Sequence, residues 1–143
     1  MAGIQHDYTV TKPDYDGGSI VNLMRSIGDA SGVIPASDAY PALAGISERL
    51  KNSKRIVLLV IDGFGLEVMN AIGSDTVFKR SAVGQLTSVY PPTTATAVTT
   101  FMSGQAPQQH GLTGWFMHFR RLGAVTAVLP FTPRFGSQPL SAS

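Results

Sequence analysis

Short apolar runs alternate with turn residues along the chain, and the longest clean run is Ile56 to Ile61. With Arg55 it reads Arg55-Ile-Val-Leu-Leu-Val-Ile61, β-branched and leucine-rich without alternation. A strand covered on both faces has this pattern, so the run predicts a central parallel strand. Asp62-Gly63-Phe64-Gly65 predicts the turn at its C-terminal end. Leu66 to Ile72 predicts a helix closed by Gly73, and Asp75 to Arg80 a further helical turn. Val83 to Val89 predicts a second strand, stopped by Pro91-Pro92. Thr94 to Met102 predicts a helix closed by Ser103-Gly104. After a loop over Gly111 to Trp115, Phe116 to Phe119 and Ala124 to Leu129 predict strands around a turn at Gly123.

The flanks are less regular. Residues 1 to 17 are polar and turn-rich and read as an arm or edge element. Ser19 predicts the cap of a short helix through Ile20, Leu23, Met24 and Ile27, ended by Gly28. Residues 28 to 45, with Pro35 and Pro41, read as loop, and Ile46 to Asn52 as a short helical turn. Pro130 to Ser143 carries no pattern. Strand, helix, strand, helix is the rhythm of an α/β domain with a mainly parallel sheet. The division that follows is an N-terminal arm with short helices over 1–53, an α/β portion over 54–131, and a Pro/Gly/Ser-rich end over 132–143.

Composition narrows the class. A length of 143 residues suits one domain. Only 14% of residues are charged, against about 25% in soluble proteins. So lean a supply fits strands buried on both faces, or a piece of something larger. Net charge is +2, and the basic residues cluster only at Arg120-Arg121 and from Lys51 to Arg55. Neither cluster forms a basic stripe with interleaved aromatics, so no nucleic-acid polymer is expected as a partner. The absence of cysteine excludes a disulfide framework, a thiolate zinc site and a cysteine nucleophile. The first residues contain Asp7 and no apolar core, which is not a secretory signal. The run Ile56 to Ile61 is far short of the roughly 20 residues that span a bilayer. The expectation is a soluble cytoplasmic protein with no membrane partner.

Ligands of open parallel sheets sit at the carboxyl ends of strands, where Asp62 and the segment Pro91 to Thr94 fall. A carboxylate placed there suits a dication that takes oxygen ligands. Capping the following helix is the competing role for Asp62. Thr93, Thr94 and Thr96 surround a helix start whose entry Pro91 and Pro92 fix. Free N–H groups and the helix dipole make such an end an anion site. A threonine hydroxyl there attacks phosphorus if a metal lowers its pKa. A plain N-cap threonine is the alternative. His6, His110 and His118 are too scattered for a metal-ligand spacing. His118 reads as a strand residue, His6 as incidental, and His110 as a brace for its loop. Gly63-Phe64-Gly65 is only a weak dinucleotide fingerprint, because Val68 stands where the third glycine belongs.

Three motifs in order carry a resemblance. They are Val60-Ile-Asp62-Gly63, Tyr90-Pro-Pro-Thr-Thr94, and Ser103-Gly104 followed by Pro107-Gln-Gln-His110-Gly111-Leu112. Over roughly residues 54 to 131 the chain resembles the N-terminal part of the alkaline phosphatase superfamily, nearest to its type I phosphodiesterase/nucleotide pyrophosphatase branch. The resemblance implies a three-layer α/β/α sandwich with a mainly parallel sheet. It implies metal-dependent hydrolysis of small phosphate mono- or diesters through a phospho-threonine, with two divalent metal ions, zinc in type. Asp62 matches the first metal-binding aspartate. Thr94, ten positions before Gly104, matches the nucleophile, which also touches a metal. The N–H of Ala95 would hold phosphoryl oxygens, and His110-Gly111 matches a pair without metal contact.

Two departures stand out. Ala97 occupies the place of an asparagine that nucleotide pyrophosphatases often carry, so nucleotide diester specificity is not implied. The family's other metal ligands come later than these residues, so the chain is expected to hold only the nucleophile half of a site, as an N-terminal fragment or truncated product. The alternatives are a non-catalytic α/β fragment or interaction module, and a phosphomutase of the same superfamily. A sulfatase is disfavoured, because no cysteine can supply its oxidised nucleophile.

Overall fold

The computed structural model describes residues 11–34 and 36–136. His6 with the rest of the arm to residue 10, Pro35 of the loop, and residues 137–143 of the C-terminal end lie outside the described residues. The elements in chain order are α1 (Ile20–Ala30), α2 (Ser47–Lys51), α3 (Leu66–Ala71), α4 (Val77–Ser81), α5 (Thr94–Ser103), α6 (Pro107–His110), β1 (Phe116–Phe119), β2 (Ala124–Ala127) and β3 (Thr132–Pro133).

Helix α1 begins where a polar residue ties three segments together. The Ser19 N–H donates to Asn22 Oδ1 at 2.9 Å, and the Ser19 hydroxyl donates to the same oxygen. The other end of that amide donates to the carbonyls of Tyr15 at 2.7 Å and Pro41 at 2.8 Å. One turn later, Ser26 Oγ accepts from the Leu43 N–H at 2.8 Å and from the Ser47 hydroxyl at 3.0 Å. Ser19, Asn22 and Ser26 are all fully buried. Helix α1 therefore grips its own N-terminal approach and the loop ahead of α2 by hydrogen bonds. It continues past Gly28 to Ala30, because Asp29 pairs with Arg25 one turn back at 2.7 Å and keeps the helix going.

The second tie is a parallel bridge. The Thr87 N–H donates to Gly18 O at 2.8 Å, and the Ile20 N–H donates to Thr87 O at 3.0 Å. The Thr87 hydroxyl adds a bond to Gly18 O at 3.1 Å. The approach to α5 is thereby fixed beside the start of α1, and the two helices pack together. Val21, Val89 and Ala106 form the small apolar centre between them, with Tyr15, Ile20, Tyr40 and Ala97 around it. Helix α5 ends at Gly104, whose φ of 70° is the left-handed region glycine occupies without strain.

The α/β class holds, with six helices and a small sheet among the described residues. The expected parallel sheet does not form among the described residues. The sheet has three strands in the order β1-β2-β3 and is antiparallel throughout. Arg55 to Ile61 forms no strand, and Val57 and Leu59 are 91% and 76% exposed. Val83 to Val89 contributes only the bridge at Thr87. The reason is contextual: strand propensity measures packing against neighbouring strands and covering layers. A buried parallel strand needs both, and the exposure of Val57 and Leu59 shows that this run lacks cover. The strand β3 falls in a stretch that carried no sequence pattern. It pairs Thr126 with Pro133 and Ala127 with Thr132, and Pro133 suits this edge because it has no N–H to donate.

Two outcomes are expected. Asn22→Ala leaves the Tyr15 and Pro41 carbonyls and the Ser19 N–H without their partner. At about 1–3 kcal/mol for an orphaned buried group, urea unfolding will show a loss of about 3 kcal/mol or more. A loss below about 0.5 kcal/mol, the range of ordinary surface changes, would remove Asn22 from the centre of the fold. The exposed apolar run makes the chain prone to associate. Replacing Val57 and Leu59 together by lysine will raise the monomer fraction in sedimentation velocity at equal concentration.

Candidate active site

The N-terminus of α5 is built from hydroxyls. Thr93 is the N-cap, in extended backbone at φ −110° and ψ 152°. Its Oγ1 lies 2.9 Å from Thr96 Oγ1 and accepts a long bond from the Thr96 N–H at 3.4 Å. The N–H groups of Thr94 and Ala95 come too early in the helix to find an intrahelical acceptor. They join the dipole in favouring an anion at this end.

Six hydroxyl residues lie between Thr93 and Ser103, and five of them are engaged. Thr93 and Thr96 bond each other. The Thr99 hydroxyl donates back to Ala95 O at 2.7 Å, and the Ser103 hydroxyl to Thr99 O at 2.7 Å. Thr100 Oγ1 faces His110 Nε2 at 3.3 Å. The Thr94 hydroxyl makes no hydrogen bond among the described residues, and the residue is half-buried. Helical spacing explains the difference. Thr93, Thr96 and Thr100 share one face, and Thr96 and Thr100 on it are fully buried. Thr94 is turned about 100° away from that face.

His110 closes the far end of this unit. Its Nδ1 accepts from the Leu112 N–H at 3.0 Å. The proton therefore sits on Nε2 and is donated to Thr100. Burial holds the imidazole below its ordinary pKa of 6.5, which keeps it neutral. His110 braces α5, α6 and the following loop, as its sequence context suggests. The reading of the sequence did not single out Thr100, although its i,i+4 spacing from Thr96 is the signal of a buried hydroxyl face. His118 lies on β1 and is exposed.

Asp62 is exposed in a turn where Gly63 has φ 72°. Its Oδ1 accepts from the Gly63 N–H at 3.0 Å. Gly65, not Asp62, is the N-cap of α3, so the carboxylate is not spent on capping. No hydrogen bond joins Asp62 to α5 among the described residues. Neither Asp62 nor Thr94 lines the cleft of about 620 Å³ in which Leu66 of α3 faces the segment Gln85 to Tyr90 and Pro92. A second cavity, of about 350 Å³, lies at the other end of α5 beside Met102 and Gly104 and plays no part in this grouping.

The donors for a metal are few. One carboxylate and one hydroxyl fall well short of a two-metal centre. Among the described residues no group of three or more His, Cys, Asp or Glu side chains could hold a metal ion. These residues therefore do not make up a metal centre by themselves.

A family model for type I phosphodiesterases / nucleotide pyrophosphatases matches residues 56–135, more than half of the chain. The chain belongs to this family. The match begins at the exposed apolar run, takes in Asp62 and all of α5, and ends after β3. No curated protein and no solved structure matches the chain. Membership in this family places the chain among phosphoester hydrolases.

The His110 geometry has a pH signature. Its folded-state pKa lies below the unfolded value of 6.5. The neutral form is favoured in the fold, so this contribution to stability is present above pH 6.5 and is lost as pH falls toward the lower, folded value. Thermal midpoints measured from pH 8 to pH 5 will be flat in this respect above about 6.5 and fall below it. In His110→Asn that acid-side fall will be smaller. An identical pH profile in the variant would remove His110 as its source.

Proposed function

We propose that this chain supplies the nucleophile part of a phosphoester hydrolase site, with Thr94 as the attacking residue. The observation that carries the reading is the hydroxyl census of α5: Thr94 alone makes no hydrogen bond among the described residues, and it stands at the first turn of the helix. Family membership supports the chemistry.

The phosphoryl oxygens of a small phosphate mono- or diester rest against the N–H groups of Thr94 and Ala95. Thr94 Oγ1 forms a bond to phosphorus, and the bond from phosphorus to the leaving oxygen breaks. The products of this half are an alcohol and a phospho-threonine. Water then cleaves the new ester and restores the hydroxyl. The threonine proton needs an acceptor that these residues do not provide, since Thr93 and Thr96 are bonded to each other and His110 is committed to Thr100 and Leu112.

Asp62 is assigned as one oxygen ligand of a divalent metal centre, zinc in type, whose other donors lie outside the described residues. In the same reading the run Arg55 to Ile61 is assigned to a central parallel strand of a three-layer sandwich. A non-catalytic role for the chain by itself is favoured by one observation, the lack of a metal-binding group among the described residues.

The test is to trap the intermediate. The chain is incubated with an aryl phosphate ester and divalent zinc, quenched in acid, and mapped by peptide mass spectrometry. Phosphate on Thr94 is expected, at low occupancy and without sustained turnover. Thr94→Ala will abolish the label and Asp62→Asn will reduce it, while Thr93→Ala will lower it about tenfold or less, as loss of a cap that orients the helix. Label on Thr93 or Thr96 in the unaltered chain would overturn the assignment.

A further inference from the structure

We propose that the outer face of the β1–β3 sheet is a binding platform for single-stranded nucleic acid, a site separate from Thr94. The register places Phe116 opposite Ala127, and His118 opposite Val125. The Arg134 N–H continues the ladder to Val125 O at 2.8 Å. Phe116, His118 and Arg134 therefore share one face, with only small or mid-sized residues of β2 between them. Phe116 and His118 are exposed, and so is Arg134. The Arg134 guanidinium sits over the Phe116 ring at 4.8 Å and over the Phe135 ring at 5.2 Å. Phe135 is 76% exposed, so most of its ring remains open to solvent.

The segment that builds this face carries charge of one sign. No Asp or Glu occurs from Thr76 to Ser143, whereas Arg120 and Arg121 form the β1–β2 turn next to Arg134 and His118. Among the described residues none of these three arginines meets a carboxylate. Arginine in this setting binds phosphate through paired N–H donors. Open aromatic rings stack nucleobases without regard to sequence. A face about 10 Å across and 13 Å long holds two or three nucleotides. Linear sequence hides the arrangement, because Arg134 is eighteen positions from the ring it covers.

A polyanion with stackable rings fits better than a lipid surface. Insertion into a bilayer calls for an apolar tip, and the tip here is Arg120-Arg121-Leu122-Gly123. The exposed Trp115 and Leu129 lie at the opposite end of the hairpin.

Trp115 is the single tryptophan of the chain and precedes Phe116 directly, so its emission is a probe at the edge of this sheet. The full chain is titrated at low salt with a fluorescein-labelled twelve-residue oligothymidylate, following anisotropy and Trp115 emission. Binding is expected with a dissociation constant of about 10 to 100 µM, together with quenching of Trp115. Arg134→Ala will weaken it about tenfold and reduce the salt dependence by about one phosphate contact. Phe116→Leu will weaken it about fivefold with the salt dependence unchanged. A double Arg120→Ala, Arg121→Ala variant tests the turn if either sheet variant loses its circular dichroism signal. Wild-type affinity in all three variants would overturn the proposal. So would binding of inorganic polyphosphate as tight as that of the oligonucleotide, or preferential binding of phosphatidylserine vesicles.

Discussion

The fold rests on a buried side-chain amide. Asn22 is fully enclosed, and its two ends hold the Ser19 N–H, the Tyr15 carbonyl and the Pro41 carbonyl. An asparagine without those partners could not be buried at all, since an unpaired amide costs several kcal/mol in an apolar setting. With them, it fixes where α1 starts. That start positions Gly18 and Ile20 to bridge Thr87, and the bridge aims the chain into Thr93. Helix α5 is thus placed by a relay of hydrogen bonds that begins seventy-two residues upstream of Thr94. Such a relay is all-or-none in character, because a partly satisfied polar network is worse than none.

Hydrogen bonds carry this weight because apolar burial is scarce. Of a chain that is 43% hydrophobic, the buried apolar residues are Val21, Val89, Ala95, Ala106 and Ala127 among those described. Most of the large apolar side chains between Val57 and Val83 remain in water. Burying a valine, leucine or isoleucine contributes about 1.5–3 kcal/mol, so that segment holds back more stabilisation than the present core supplies. The segment also lies inside the family match, which begins at residue 56. Its apolar pattern is that of a covered strand, and among the described residues that run stays exposed.

Local signals in the sequence were therefore the reliable ones. Ser19, Thr93 and Gly104 mark helix ends, and Gly123 marks a hairpin turn, because caps and turns are decided by a few adjacent atoms. The parallel sheet was not legible in the same sense. Arg55 to Ile61 states a preference whose fulfilment depends on strands and helices elsewhere. Asn22 went unnoticed because a lone asparagine inside a helix looks like a solvent residue, and only its distance from Tyr15 and Pro41 in space gives it a role. Within the candidate site the helix start was legible and the hydroxyl pairing was not. That Thr96 bonds Thr93 and Thr100 bonds His110, leaving Thr94 over, depends on which face α5 turns inward.

What the helix end can do alone follows from magnitudes. The dipole favours an anion there by about 0.3–1 kcal/mol. A well-placed N–H donor on a developing oxyanion contributes about 3–4 kcal/mol to the rate. Enzymes lower barriers by at least about 8 kcal/mol. The two early N–H groups of α5 thus approach the lower bound only if both are ideally aimed, and they leave the hydroxyl at its ordinary high pKa. Ala95 is fully buried, which limits how squarely its N–H can meet a phosphoryl oxygen. The end of α5 is consequently better suited to holding a phosphate and receiving it once than to turning over. Sustained hydrolysis needs a group that lowers the Thr94 pKa and another that steadies the leaving oxygen. In the proposed reading Asp62, exposed and bonded only to its own turn, is available to hold the first.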